Sequence, residues 1–340
     1  MPAPLPPILR AEDPFGADAD AIARAAAVIR SGGLVAFPTE TVYGLGANAL
    51  DAAAVRRIFE AKGRPSYNPL IAHVADIEGA RALVTDWPPL AQELAERFWP
   101  GPLTIALPKR SHVPDEVTAG RGTVAVRVPA HPVARALIAA AGVPLAAPSA
   151  NRFTELSPVT AAQVARGLGD RVDLILDGGR TDVGIESTVV DLSCDPPMLL
   201  RPGTITRSAI EAIIGPLETP SAPDREDAPR TAPGMIARHY APRAQLRLVT
   251  SDGIGAAIAD AAGRGETVAV VTWSPRGFSA GSAVRRHHHL PDDAAGFASE
   301  LYATLHAVDE AGCAEVLVER PPEDAAWDGV RDRLTRASHE

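Results

Sequence analysis

At 340 residues and 46% hydrophobic composition, the chain is long enough for two domains of ordinary size, each with its own core. Aromatic residues make up only 4%, so those cores are expected to be aliphatic, which suits buried α/β sheets. A formal net charge of -9 argues against a broad electrostatic surface for nucleic acid, yet leaves room for a local basic pocket that holds a phosphate or a carboxylate.

In chain order, the start MPAPLPPILRAEDP lacks a basic stretch followed by an apolar core, so no secretory signal is expected. An Ala-rich helix is predicted over Ala17–Ser31, stopped by Gly32 and Gly33. GLVAFPT then reads as a short buried strand, and the following TETVYGLG as a glycine-containing turn whose threonines suit helix capping as well as ligand contact. A helix over Ala52–Lys62 ends at Gly63, and strands are predicted at Asn68–Val74, Leu103–Pro108, Gly122–Pro129, Val143–Ser149, Val172–Gly179 and Ser187–Ser193. Helices at Pro88–Phe98, His131–Ala141 and Ala161–Leu168 separate some of them, a mixture that predicts an α/β fold without fixing strand order.

Residues 216–242 are dense in Pro and charge and lack periodicity, which marks a linker. The pattern then restarts with strand AQLRLVT, a helix over Gly255–Gly263, strands TVAVVTW and AVRRHHHL, a helix over Asp293–Ala311, strand EVLVER and a helix over Trp327–Ser338. The domains are therefore drawn at 1–208, with a Pro-rich linker at 209–243 and a second, smaller α/β domain at 244–340. No GxGxxG or GxxxxGK[ST] supports a nucleotide role for that second domain. No window approaches the roughly 20 apolar residues of a membrane helix, so the expected location is the cytoplasm. Cys194 and Cys313 have no CxxC partner, and strand alternation puts only His287 and His289 of the triple His on one face, so no metal site is expected.

Four loops of the first domain concentrate polar residues. Thr39-Glu40-Thr41 precedes Tyr43-Gly44-Leu45-Gly46; Lys62-Gly63-Arg64-Pro65 leads through Asn68 to His73; Ser149-Ala150-Asn151 is followed by Ser157; Glu186-Ser187-Thr188 is followed by Arg201. A Lys and an Arg at a helix C-terminus ordinarily serve the dipole, but two cations around a glycine held by Pro65 also make a phosphate clamp. His73, alone in an apolar strand, reads first as a satisfied core residue. Arg127 in VAVRVP, with Thr123 nearby, is more telling, because a buried guanidinium must find an anion. There is no GxSxG elbow, HExxH or electropositive cysteine, which points to a site that holds anions with donors and cations instead of attacking with a protein nucleophile.

FPTETVYGLG, AKGRPSYNPL, APSANRF and GIESTVVD, in this order, resemble the YrdC-type threonylcarbamoyl-AMP synthase family; Lys62-x-Arg64 and Ser149-x-Asn151 match its KxR…SxN hallmark. The likeness covers about the first 205 residues, and PGMIARHYAP with the tail is similar to the family's long, two-domain branch. It implies a YrdC-like twisted mixed sheet with flanking helices, plus a smaller Rossmann-like domain. It implies a reaction in which L-threonine, bicarbonate and ATP give L-threonylcarbamoyladenylate and pyrophosphate, for t6A modification of tRNA by separate transferase proteins. On the resemblance, Thr41, His73, Arg127 and Ser187 hold threonine. Arg64, Asn68, Thr123, Ala147 through its backbone, Ser149, Ser157 and Arg201 hold ATP, with Lys62 and Asn151 completing the catalytic wall and His239 and Tyr240 of the linker lying over the nucleotide. Mg²⁺ is expected to accompany the phosphates, with no protein ligand to name. Arg127 is expected to receive the threonine carboxylate bidentately. The alternative, an RNA-binding YrdC-like module, requires a basic face that the charge balance disfavours.

Overall fold

The computed structural model describes residues 6–220, 239–275 and 281–338, and these divide into two compact units. The first comprises the described residues up to 220 other than 154–156; the second comprises residues 154–156 with those from 239 onward. The central part of the expected linker, 221–238, lies outside the described residues.

The first unit is built on a ten-stranded mixed sheet. Its strands are β1 (Ile8–Arg10), β2 (Val35–Pro38), β3 (Tyr43–Asn48), β4 (Ile71–His73), β5 (Leu103–Pro108), β6 (Thr123–Arg127), β7 (Leu145–Ala146), β8 (Leu174–Asp177), β9 (Thr188–Asp191) and β10 (Met198–Arg201). They lie in the order β1-β8-β2-β3-β7-β4-β6-β5-β9-β10. Period-two alternation sorts the side chains into two cores. Val35, Phe37, Leu174 and Leu176 face one side, where they meet Ile22 and Ile29 of helix α1 (Ala19–Arg30) and Val133 and Leu137 of a helix over Pro132–Ala141. Leu34, Ala36 and Ile175 face the other side, with Val55 and Ile58 of helix α2 (Ala52–Lys62). Helix α2 is closed as its sequence suggests: Asp51 accepts from the Ala53 and Ala54 amides, and Gly63 takes the left-handed φ of 63° that costs a side chain most.

Residues 43–48 form a strand, so FPTETVYGLG is a β-hairpin in which β2 pairs antiparallel with β3, Phe37 opposite Gly44 and Pro38 opposite Tyr43. The glycines serve packing: a Cβ on Gly46 would stand 2.7 Å from Cε1 of Phe37. Thr39 and Thr41 therefore occupy a hairpin turn and not a helix cap. A helix over Arg207–Ile214 also runs across the domain boundary drawn at 208, and Leu199 of β10 pairs with Glu218 beyond it.

The second unit is a parallel sheet of β11 (Gln245–Val249), β12 (Val268–Thr272), β13 (Val284–His289) and β14 (Glu315–Glu319), ordered β11-β14-β12-β13. At the carboxyl ends of its strands, where this topology ordinarily receives ligands, the carboxylate of Glu319 accepts from the Trp273 and Ser274 amides and the Ser251 hydroxyl. Thr272 Oγ1 lies 2.9 Å from His287 Nε2 and 3.0 Å from His289 Nδ1, so the two histidines sharing a face meet a hydroxyl. Residues 154–156 belong here through pairing of Glu155 with Ala241.

Just after β10, a Cβ on Gly203 would fall 2.5 Å from the Thr188 amide nitrogen and 2.9 Å from the Glu186 carbonyl oxygen, both main-chain atoms that cannot turn aside. Gly203→Ala is accordingly expected to cost about 1–3 kcal/mol by overpacking. The check is a urea titration, and an unchanged first transition would contradict this packing.

Candidate active site

The hairpin turn is ordered from within. The Thr39 hydroxyl donates to the Val42 carbonyl (2.7 Å), which directs the Thr41 hydroxyl proton onto Thr39 Oγ1 (2.7 Å) and leaves the Thr41 oxygen as an acceptor. That oxygen meets Arg127. Arg127 Nη2 donates to Thr41 Oγ1 (3.1 Å) and to Glu40 Oε1 (2.7 Å), while Nε donates to the Gly101 carbonyl (3.2 Å). Glu40 Oε2 accepts from the Ala130 amide at 3.0 Å. The Arg127 and Glu40 side chains are only 4% and 9% exposed, so the anion that the sequence requires for Arg127 is supplied by the chain itself. Burial pushes the Glu40 carboxyl up, but the charge and hydrogen bonds of Arg127 outweigh it and hold the group below the usual range.

The Nε–Nη2 edge of the guanidinium is occupied by Gly101 and Glu40, and Thr41 takes a further contact to Nη2. His73 stands in register beside Arg127, His73 of β4 opposite Arg127 of β6. It is 3% exposed and its Nδ1 has no hydrogen-bond partner among the described residues, so it is not a satisfied core histidine. Burial and the neighbouring Arg127 charge bring its pKa down to about 3, which keeps the ring neutral.

Two further loops attach to the same turn. The Val183 and Gly184 amides donate to the carbonyls of Glu40 and Thr41, which aligns the segment leading to Ser187. Ser187 Oγ lies 2.8 Å from the Thr104 hydroxyl and accepts from Arg201 Nη2 at 3.1 Å, and Arg201 Nε donates to the Ser187 carbonyl. Arg201, assigned to ATP, thus grips a residue assigned to threonine. Ser157, also assigned to ATP, donates to Glu186 at 2.5 Å.

The SxN loop lies against the start of β3: Gly44 bridges to Ser149, and the Ala150 amide donates to the Tyr43 carbonyl. Lys62 holds the other side of that loop. Its ammonium donates to the carbonyls of Ser149 (2.6 Å) and Asn151 (2.5 Å), which ties KxR to SxN. Arg64 Nη2 donates to the Pro69 carbonyl at 3.1 Å. Asn68 is fully buried with neither side-chain amide atom hydrogen-bonded among the described residues, the mark of a group awaiting a ligand. Ala147 is buried beside Gly44 and its amide donates to the Ile71 carbonyl, whereas Thr123 is half-buried at the start of β6.

All these residues belong to the first unit. His239 and Tyr240 belong to the second, where the His239 amide donates to the Arg336 carbonyl and Arg333 stands 5.3 Å over the Tyr240 ring. Three groups escaped the sequence reading as site members: Glu40, Glu186 and Thr104. Thr104 carried a signal, as the only hydroxyl in LTIALP. Glu40 carried one as well, a carboxylate between two threonines in a chain that owed Arg127 an anion.

A buried cluster of polar side chains at the loops of a large mixed sheet marks an α/β protein of the YrdC class. The Sua5, yciO and yrdC family model, described as telomere recombination, matches residues 27–203, and the model for the threonylcarbamoyl-AMP synthase C-terminal domain matches residues 205–339. The chain is 44% identical to threonylcarbamoyl-AMP synthase of Pyrococcus abyssi over 92% of its length and 93% of the relative's. It is 43% identical to the Bacillus subtilis protein of the same name, covering 93% and 92%. Among solved structures, P. abyssi Sua5 complexed with L-threonine matches with a TM-score of 0.88 at 42% identity, covering 98% of this chain and 97% of that one. The chain belongs to the threonylcarbamoyl-AMP synthase family.

The neutral state of His73 has a consequence for stability. The unfolded chain takes up a proton near pH 6.5 that the folded chain refuses until about pH 3. Its contribution is therefore whole above pH 6.5 and is lost as pH falls through that interval. The loss of urea stability between neutral pH and about pH 4.5 is expected to be smaller in His73→Gln than in wild type. Equal losses would contradict it.

Proposed function

We propose that this chain makes L-threonylcarbamoyladenylate from L-threonine, bicarbonate and ATP, releasing pyrophosphate. The observation that carries the reading is Arg127, a buried guanidinium fixed by Glu40, Thr41 and Gly101 with Nη1 left to receive a carboxylate. It stands in the same pocket as Thr41, His73 and Ser187, whose hydroxyls and neutral imidazole suit the threonine side chain. A site that hydrogen-bonds a substrate hydroxyl rejects an isostere lacking it far more strongly than an apolar pocket does, so valine is excluded.

In this reading the threonine carboxylate meets Arg127 and the amine stays free to attack carbon dioxide or bicarbonate. The resulting carbamate oxygen attacks the α-phosphorus of ATP, forming the new P–O bond as the bond to pyrophosphate breaks. Arg64, with Asn68, Ser149, Ser157, Thr123, Arg201 and the Ala147 backbone, takes the nucleotide, and the charge on the transferring phosphoryl group is offset by fixed donors. Lys62 and Asn151 keep the SxN loop in place. Mg²⁺ is read as accompanying the phosphates of ATP. His239 and Tyr240 are assigned to the nucleotide by the family resemblance alone. The adenylate then passes to the transferase proteins that carry out t6A modification of tRNA, and a chain at -9 leaves tRNA binding to them. No helix among the described residues is long and apolar enough to cross a membrane, and the reaction belongs to the cytoplasm, where tRNA is modified.

Pyrophosphate release from ATP is the test. It is expected to require both bicarbonate and threonine, with serine weaker and valine inert. Release that does not depend on threonine would overturn the assignment.

A further inference from the structure

We propose that Glu40 is the positioning residue for the substrate carboxylate: it holds and neutralises Arg127 so that the guanidinium offers Nη1 in a single orientation. The inference rests on the reading that threonine's carboxylate meets Arg127, and it adds the residue that makes Arg127 selective and not merely cationic.

Glu40 is pinned from three segments. Its carboxylate takes Nη2 of Arg127 on one oxygen and the Ala130 amide on the other, and its own carbonyl accepts from the Val183 amide at 2.8 Å. It cannot swing aside without leaving a buried charge and a main-chain donor unpaired. Arg127 is equally constrained, with Nε on Gly101 and the second Nη2 hydrogen on Thr41. A guanidinium buried this deeply without an internal anion would draw a small anion from solvent, and threonine would then have to displace it. Glu40 removes that competitor by occupying the opposite edge of the guanidinium. The Glu40–Arg127 pair has no net charge, as has the zwitterionic amino acid it is to receive. The pair therefore orients the substrate by directed hydrogen bonds and does not attract every anion in the cell. None of the side-chain bonds of Glu40 reaches Lys62, Arg64 or Asn68, so its influence falls on the amino acid and not on ATP.

The test compares the full-length wild-type chain with Glu40→Gln and Glu40→Asp in the threonine-dependent pyrophosphate assay, with and without added sodium formate. Glu40→Gln leaves the buried guanidinium without its counter-charge. The threonine KM is expected to rise about tenfold or more, the size expected for losing a charge-assisted hydrogen bond, while the ATP KM stays as in wild type. Formate should then compete with threonine in Glu40→Gln and leave wild type unaffected, a response that a merely structural role would not produce. Glu40→Asp keeps the charge on a shorter arm, so its threonine KM should rise without formate sensitivity; this variant decides the matter if Glu40→Gln fails to fold. Wild-type threonine KM in the Asp variant, or in the Gln variant together with indifference to formate, would overturn the role of Glu40. Threonine-independent turnover of the wild-type chain would instead overturn the functional reading on which that role stands.

Discussion

The charge of Arg127, buried between two strands, is the constraint around which the first unit is arranged. A guanidinium in that position must have its charge paired, and removing one partner of a buried pair typically costs about 3–5 kcal/mol. The chain meets the requirement from three places at once. Glu40 and Thr41 come from the β2–β3 turn, Gly101 from the segment before β5, and Ala130, through Glu40, from the segment after β6. Each segment is held by its place in the sheet, so the orientation of one side chain fixes the relative positions of three connections. The unusual features of the turn follow from this. Thr39 exists to direct the Thr41 proton away from Arg127, and Gly46 lets Phe37 lie close enough for β2 and β3 to pair tightly.

A second set of ties extends the same frame to the nucleotide side. Lys62 draws the main chain of Ser149 and Asn151 toward the end of α2, and Gly44 bridges to Ser149, so the KxR and SxN elements close on the hairpin that carries Thr41. Arg201 reaches Ser187 by both its hydroxyl and its carbonyl, which joins β10 to the loop entering β9. Residues assigned to different substrates are therefore bonded to one another. Loss of one contact is expected to be felt by both substrates wherever such a bond is cut, and by one substrate alone where it is not, as at Glu40.

Much of the fold was legible because its elements carry local signals. Asp51 and Gly63 bracket α2, Thr160 and Gln163 cap the helix over Ala161–Leu168, and LTIALP spans β5 and ends on Pro108. The strand β3 was not legible, since two of its residues are glycines whose purpose is to admit Phe37 from the neighbouring strand, a tertiary requirement that reads locally as a turn. The site divides in the same way. Arg127 announced itself by being charged in an apolar strand, and the KxR and SxN spacings by resemblance to a family. Which anion Arg127 meets, and that Lys62 faces carbonyls, are matters of which loops the sheet brings together. Strand order is what sequence pattern leaves undetermined.

Membership in the threonylcarbamoyl-AMP synthase family and the geometry of the pocket meet at one atom, Nη1 of Arg127. A crystal structure of this chain grown with L-threonine addresses it most directly. A carboxylate oxygen is expected within about 3 Å of Nη1, with Glu40 still on Nη2 and the threonine hydroxyl among Thr41, His73 and Ser187. A threonine whose carboxylate lies on Arg64, or an Arg127 that has left Glu40 to take the carboxylate with both edges of its fork, would contradict the account.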